Sequence, residues 1–143
     1  MNLIPAFERD LHKLIEEINL YKNENDLWKT KENIRNPAGN LALHLIGNLN
    51  YFIGNILGNS GYPRDREKEF SLKNIPREKL IAGLNDVIAV ISGTLSKLSN
   101  EDLKKDFPVK IADKVLSTEN ALIHLLSHLN YHLGQINYHR RMI

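Results

Sequence analysis

Four of the six histidines in this chain of 143 residues fall in its closing stretch, Ser117 to Ile143, and three of them, His124, His128 and His132, stand four residues apart. At about 100° per residue, a step of four drifts only about 40° around a helix, so neighbours in this set lie one turn apart on nearly the same face. Two imidazoles so placed can grip one metal ion. The same spacing also fits two buried or edge imidazoles that are merely hydrogen-bonded to neighbours. A third ligand from elsewhere in the chain decides between the two. There are no cysteines, which removes disulfides, thiolate ligands and a protein thiol nucleophile together; any thiol chemistry would have to come from a bound small molecule.

The element carrying these histidines reads as a helix. Ser117 or Thr118 offers a capping hydroxyl, Glu119 sits at the positive end of the helix dipole, and Arg140 and Arg141 sit at the negative end. Leu122, Leu125, Leu126, Leu129, Leu133 and Ile136 recur at three- and four-residue intervals and must face a core. His128 and His132 follow Ala121 and Leu125 along that inward side, and an inward imidazole needs a partner.

Upstream, Asn36-Pro37 is a helix start, with Asn36 as cap and Pro37 at the first helical position. The second helix then runs to Gly58–Gly61, with Leu41, Leu45, Leu49, Phe52, Ile53 and Ile56 inward. His44 lies beside that stripe, and Gly47 permits close approach by another helix, so His44 is the candidate third ligand. The first helix is predicted over residues 2–21, with Pro5 in its first turn, and the third from Pro76 to about Lys97. Trp28 reads as a core plug and His12 as exposed.

Residues 62–75 carry charge without apolar period and read as a long connection, in which Arg64, Arg66, Glu69 and Phe70 are the residues of interest. Within residues 98–116, Phe107-Pro108 blocks a continuous helix, and VKIADKV, residues 109–115, fits a short extended piece or a poor helix equally. Four helical segments with connections of unequal length indicate an all-α, antiparallel-type four-helix bundle in a single domain, 1–143.

Composition narrows the function. A formal charge of +2, with lysines scattered among acids, disfavours a nucleic-acid partner. No apolar run approaches the roughly 18 residues of a spanning helix, and no basic head precedes one at the N-terminus; the expectation is no membrane and a cytoplasmic location. A Gly-rich phosphate loop, a GxSxG elbow and paired ExxH motifs are all absent.

HLLSHLNYHLGQINYHRR near the C-terminus, the single inward histidine of NLALHLIGNL, and the intervening GNSGYPRDREKEFS resemble the DinB superfamily of four-helix metal-binding proteins, most closely its DUF1572 branch. The resemblance covers nearly the whole chain and implies a metal triad of one histidine from the second helix and two from the last. Carried over, these are His44, His128 and His132, because His132 is the one followed by Gly134 and Gln135. His124 then becomes an edge or outer-shell imidazole; if His124 and His128 ligated instead, the ion would lie a turn nearer the helix start. The superfamily includes transferases and isomerases dependent on low-molecular-weight thiols, so the resemblance implies a homodimer with one divalent ion that activates water or such a thiol for a small-molecule substrate. Asn48, Tyr51, Tyr131 and Gln135 are expected substrate or outer-shell contacts from their helical proximity.

Three neutral imidazoles without a carboxylate leave at least one coordination position open, as in catalytic sites. Zinc and nickel are the leading metals; copper would win on affinity but is scarce in cytoplasm. The competing reading is a non-catalytic metal-binding or sensing bundle. Because an imidazole must be neutral to ligate and its ordinary pKa is about 6.5, metal affinity is expected to fall below about pH 6. Equilibrium metal titrations from pH 8 to pH 5 check this, and unchanged affinity would contradict imidazole ligation.

Overall fold

The computed structural model describes residues 1–143 and is all-helical, with six α-helices and no strand. In chain order these are α1 (Ile4–Asn19), α2 (Ala38–Leu49), α3 (Arg66–Ser71), α4 (Arg77–Leu95), α5 (Asn100–Lys104) and α6 (Thr118–Met142). A 3₁₀ turn at Glu24–Trp28 follows α1, and α2 passes directly into a π-helical segment, Asn50–Leu57. Both α1 and α2 pack against α4 and α6, so each of the four long helices has two long neighbours. No helix is long and apolar enough to cross a membrane.

The core forms where the predicted stripes meet. Phe7, Leu11 and Leu14 of α1, Leu45 and Leu49 of α2, Leu84 and Ile91 of α4, and Leu122, Leu129 and Ile136 of α6 are all buried in one cluster. Each such side chain contributes about 1.5–3 kcal/mol on leaving water. The ring of Trp28 lies directly on Gly39, where a Cβ would sit 2.7 Å from three ring carbons, so the tryptophan does plug the α2 start. His12 is exposed, as expected.

The helix ends differ in detail from the reading above. Pro37 is the cap of α2, not its first helical residue; its ψ of 163° is still extended, and the helix begins at Ala38. Pro76 caps α4 in the same way, with ψ 140°. A proline suits this position because its fixed φ matches and no amide hydrogen is needed there. Ser117 caps α6, its hydroxyl accepting the Asn120 amide at 3.2 Å.

Two connections contain structure that periodicity did not reveal. Residues 62–75 hold α3, capped by Asp65 Oδ1 on the Lys68 amide at 3.2 Å. Its one buried residue is Glu69, a carboxylate, which is why no apolar pattern marked it. Between 98 and 116 lies α5, started by a Ser99/Asp102 capping box, and then a tight turn at Ile111–Lys114. Ile111 and Lys114 exchange two backbone bonds of 3.0 Å, with Ala112 and Asp113 at φ 49° and 61°, the two left-handed residues of a type I′ turn. Residues 109–115 thus form neither a strand nor a helix but a bridged turn, and buried Phe107 and Ile111 fix the loop to the core.

Polar clasps tie α6 to α1. Asn130 Nδ2 donates to Asp10 at 2.7 Å, and Glu17 accepts from Asn137 Nδ2 and Arg140 Nε, each at 2.8 Å. A buried histidine not singled out from the sequence, His139, accepts from the Tyr21 hydroxyl at Nδ1 (2.6 Å) and donates from Nε2 to the Lys29 carbonyl (2.8 Å).

Burial alone would raise the Glu17 pKa, but the bonds from Arg140 and Asn137 and the Arg140 charge outweigh it and hold the carboxyl below its usual range. A folded-state pKa below the unfolded value gives stability that is full above the unfolded pKa, near 4.3, and lost as pH falls through the folded one. Glu17→Gln should therefore cost about 1–3 kcal/mol at pH 7. The difference from wild type should shrink below about pH 4. Urea unfolding at both pH values measures it; a gap independent of pH would refute the ionised clasp.

Candidate metal centre

His44 on α2 and His128 and His132 on α6 meet where those two helices pack. His44 Nε2 lies 3.2 Å from His128 Nε2, which lies 3.0 Å from His132 Nε2. The three rings stand nearly perpendicular in pairs, at 81°, 90° and 88°. Metal–nitrogen bonds of about 2.0–2.1 Å place ligand nitrogens about 3.0 Å apart at right angles and about 3.4 Å apart in a tetrahedron. The observed separations match such an edge, and the group could hold one metal ion.

The hydrogen-bond partners explain why a cation suits the point of convergence. His44 Nδ1 lies 2.9 Å from Glu69 Oε1, an acceptor, and His132 Nδ1 lies 2.7 Å from Gln135 Oε1, also an acceptor. Both Nδ1 atoms therefore carry the proton, and both Nε2 atoms turn a bare lone pair toward His128. A neutral His128 can place at most one proton among the three nitrogens, so at least two lone pairs face one small volume. His128 Nδ1 is buried without a partner of its own.

Protonation does not relieve this crowding at neutral pH. Burial, then the neighbouring His132 and His44, pushes His128 down to about 4, and burial likewise lowers His132 against the opposing bond from Gln135. His128 therefore stays neutral through the range in which an ordinary imidazole protonates, and His132 is shifted in the same direction. The share of the loss of metal affinity that falls on His128 accordingly moves below about pH 6.

Glu69 is the residue that orients His44. It accepts from His44 and also takes two bonds from Arg64, Nε at 2.9 Å and Nη2 at 3.0 Å. Burial opposes its ionisation, but the bonds from His44 and Arg64 and the Arg64 charge hold its pKa below the usual carboxylate value. The carboxylate fits only because residue 47 is glycine: a Cβ there would lie 1.8 Å from Glu69 Oε2. The close approach expected at Gly47 is thus made by this side chain. Asn40, fully buried on α2, fixes α3 in turn by donating from Nδ2 to the carbonyls of Glu69 (2.9 Å) and Leu72 (2.8 Å). The Lys73 ammonium donates to the Asn40 amide oxygen.

The remaining sequence-selected residues surround this centre unequally. Gln135 bonds His132 directly, and the exposed Tyr131 ring stands 5.3 Å from the His132 ring, centroid to centroid. Asn48 is buried one turn after His44, and its Oδ1 has no partner. Tyr51 packs on Phe52 and lies beneath the Arg64 guanidinium at 5.8 Å. His124 is exposed and is not one of the three converging histidines. Sequence reasoning placed Glu69 and Arg64 in a loop of interest but assigned neither a partner, and it passed over Asn40. The available signal was Gly47, a glycine in the middle of a leucine-rich helix, together with an Arg and a Glu five residues apart.

Over residues 4–143 the chain matches the family described as protein of unknown function (DUF1572), and it belongs to that family. No curated protein matches it.

Removing the orienting carboxylate should weaken metal binding without removing a ligand. For Glu69→Ala a loss of about 10–100-fold in zinc affinity is expected, with helical circular dichroism retained. Competition titration against a chromophoric chelator measures it, and wild-type affinity would show that Glu69 does not act on His44.

Proposed function

We propose that His44, His128 and His132 are the ligands of one divalent ion, zinc or nickel, in an enzyme that activates water or a low-molecular-weight thiol. The observation that carries this reading is the convergence of three Nε2 atoms, two of them fixed as lone-pair donors by Glu69 and Gln135. An imidazole-only donor set backed by an outer carboxylate is the chemistry of an open, catalytic site. The ring-like packing of α1, α4, α2 and α6 and the origin of the ligands on α2 and α6 support a four-helix bundle of the DinB type.

Bound by three neutral imidazoles, a divalent ion would supply Lewis-acid chemistry, lowering the pKa of a water from about 16 to as little as about 7 and favouring the thiolate of a bound thiol. The protein's own groups do the rest. Glu69 holds His44 in the required tautomer and balances local positive charge. Gln135, a neutral amide, fixes only the tautomer of His132, at the solvent-facing side. The half-buried setting of His128 and His132 disfavours protonation of both donors. Asn48 Oδ1, buried without a partner, is a free acceptor beside the centre.

Purified without a histidine tag, the protein should carry one zinc or nickel per chain. His44→Ala and His132→Ala should each lose it by elemental analysis, and full retention in both would contradict the triad. Turnover of activated esters, or of electrophiles with added thiols, should disappear with a chelator and return with metal. If chelation only lowers the melting temperature and no turnover is found, the ion has a structural role and the catalytic reading fails.

A further inference from the structure

His132 also forms part of the wall of a cleft of about 530 Å³ between α6 and the segment leading into α2. That volume is ordinary for a small-molecule site. Three large side chains at its rim are left uncovered: Tyr131 at 66% exposure, Tyr138 at 63% and Met142 at 52%. No Asp or Glu lines the cleft, and its one permanent charge is Arg35.

Arg35 differs from every other arginine of the chain. Arg9, Arg64 and Arg140 are paired with Asp10, Glu69 and Glu17, and Arg77 donates to the Tyr21 carbonyl. Arg66 and Arg141 lie over the rings of Phe70 and Tyr138. Arg35 alone has neither a carboxylate, a carbonyl nor a ring, and it stands exposed on a cleft of mixed lining without acids. A guanidinium in that setting is matched by a planar anion such as a carboxylate, and the Arg141 guanidinium over the Tyr138 ring adds positive charge at the same rim.

We propose that this cleft binds a small organic carboxylate, its head group on Arg35 and its apolar body against Tyr131, Tyr138 and Met142. That the bound molecule is a substrate rests on the metal-centre reading, because His132 lies in the cleft wall; the binding itself does not.

Calorimetric titration of the zinc-treated full chain with 4-phenylbutyrate and with its neutral analogue 4-phenylbutyramide tests this. The carboxylate should bind about tenfold or more tightly than the amide. Arg35→Gln should abolish that preference while leaving amide binding unchanged, and Tyr138→Ala should weaken both probes. Equal affinities, no binding of either probe, or a preference that survives Arg35→Gln would overturn the proposal; the last would place the carboxylate on the ion or on Arg141 instead. Zinc content of the same samples separates the two readings. A preserved preference without bound zinc supports the cleft and removes the metal centre, whereas one zinc per chain with no preference removes the cleft alone.

Discussion

The contact on which the rest depends is the buried bond between Glu69 and His44. A carboxylate taken out of water is costly unless its lone pairs are met, and here Oε1 and Oε2 accept one bond from His44 and two from Arg64. Once that carboxylate is ionised and in place, the His44 proton has to sit on Nδ1 and the lone pair has to point across to α6. The tautomer of one ring is thereby set by a side chain two elements away in the chain. Gly47 and Asn40 follow from the same need: one vacates the space that Glu69 occupies, and the other anchors the short helix that carries it.

The larger architecture serves as a rigid mount for this arrangement. His128 and His132 share one 25-residue helix, so their relative position is set by helical geometry alone. What needs fixing is the rotation and slide of α6 relative to α2. The leucine and isoleucine core supplies most of the energy, while Asp10, Glu17 and His139 bond α6 to specific points along α1 and the turn after it. Directional bonds of this kind choose one register among several that apolar packing would allow.

The parts of the fold legible in the sequence were those governed by local periodicity. The stripes Leu122–Leu125–Leu129 and Leu41–Leu45–Leu49 told which faces turn inward, and the i, i+4 spacing told that His128 and His132 share a face. His44 as partner was suggested by its place beside the α2 stripe and by family resemblance, and the packing of α2 on α6 brings it there. What stayed illegible depends on contacts between distant residues. α3 has no apolar period because its inward residue is an ion-paired glutamate, and His139 is buried by partners more than a hundred positions away. The π-helical turns after Leu49 carry no periodicity that separates them from an α-helix, and the type I′ turn at Ala112-Asp113 lacks the Asn-Gly pair that usually marks one.

The central claim, that two helices aim three imidazole lone pairs at one cation, is tested most directly by X-ray absorption spectroscopy of the zinc-loaded protein. The structure predicts a first shell with three imidazole nitrogens at about 2.0–2.1 Å and the outer-ring scattering that imidazoles produce. A shell made only of oxygens, or one containing a single imidazole, would contradict it.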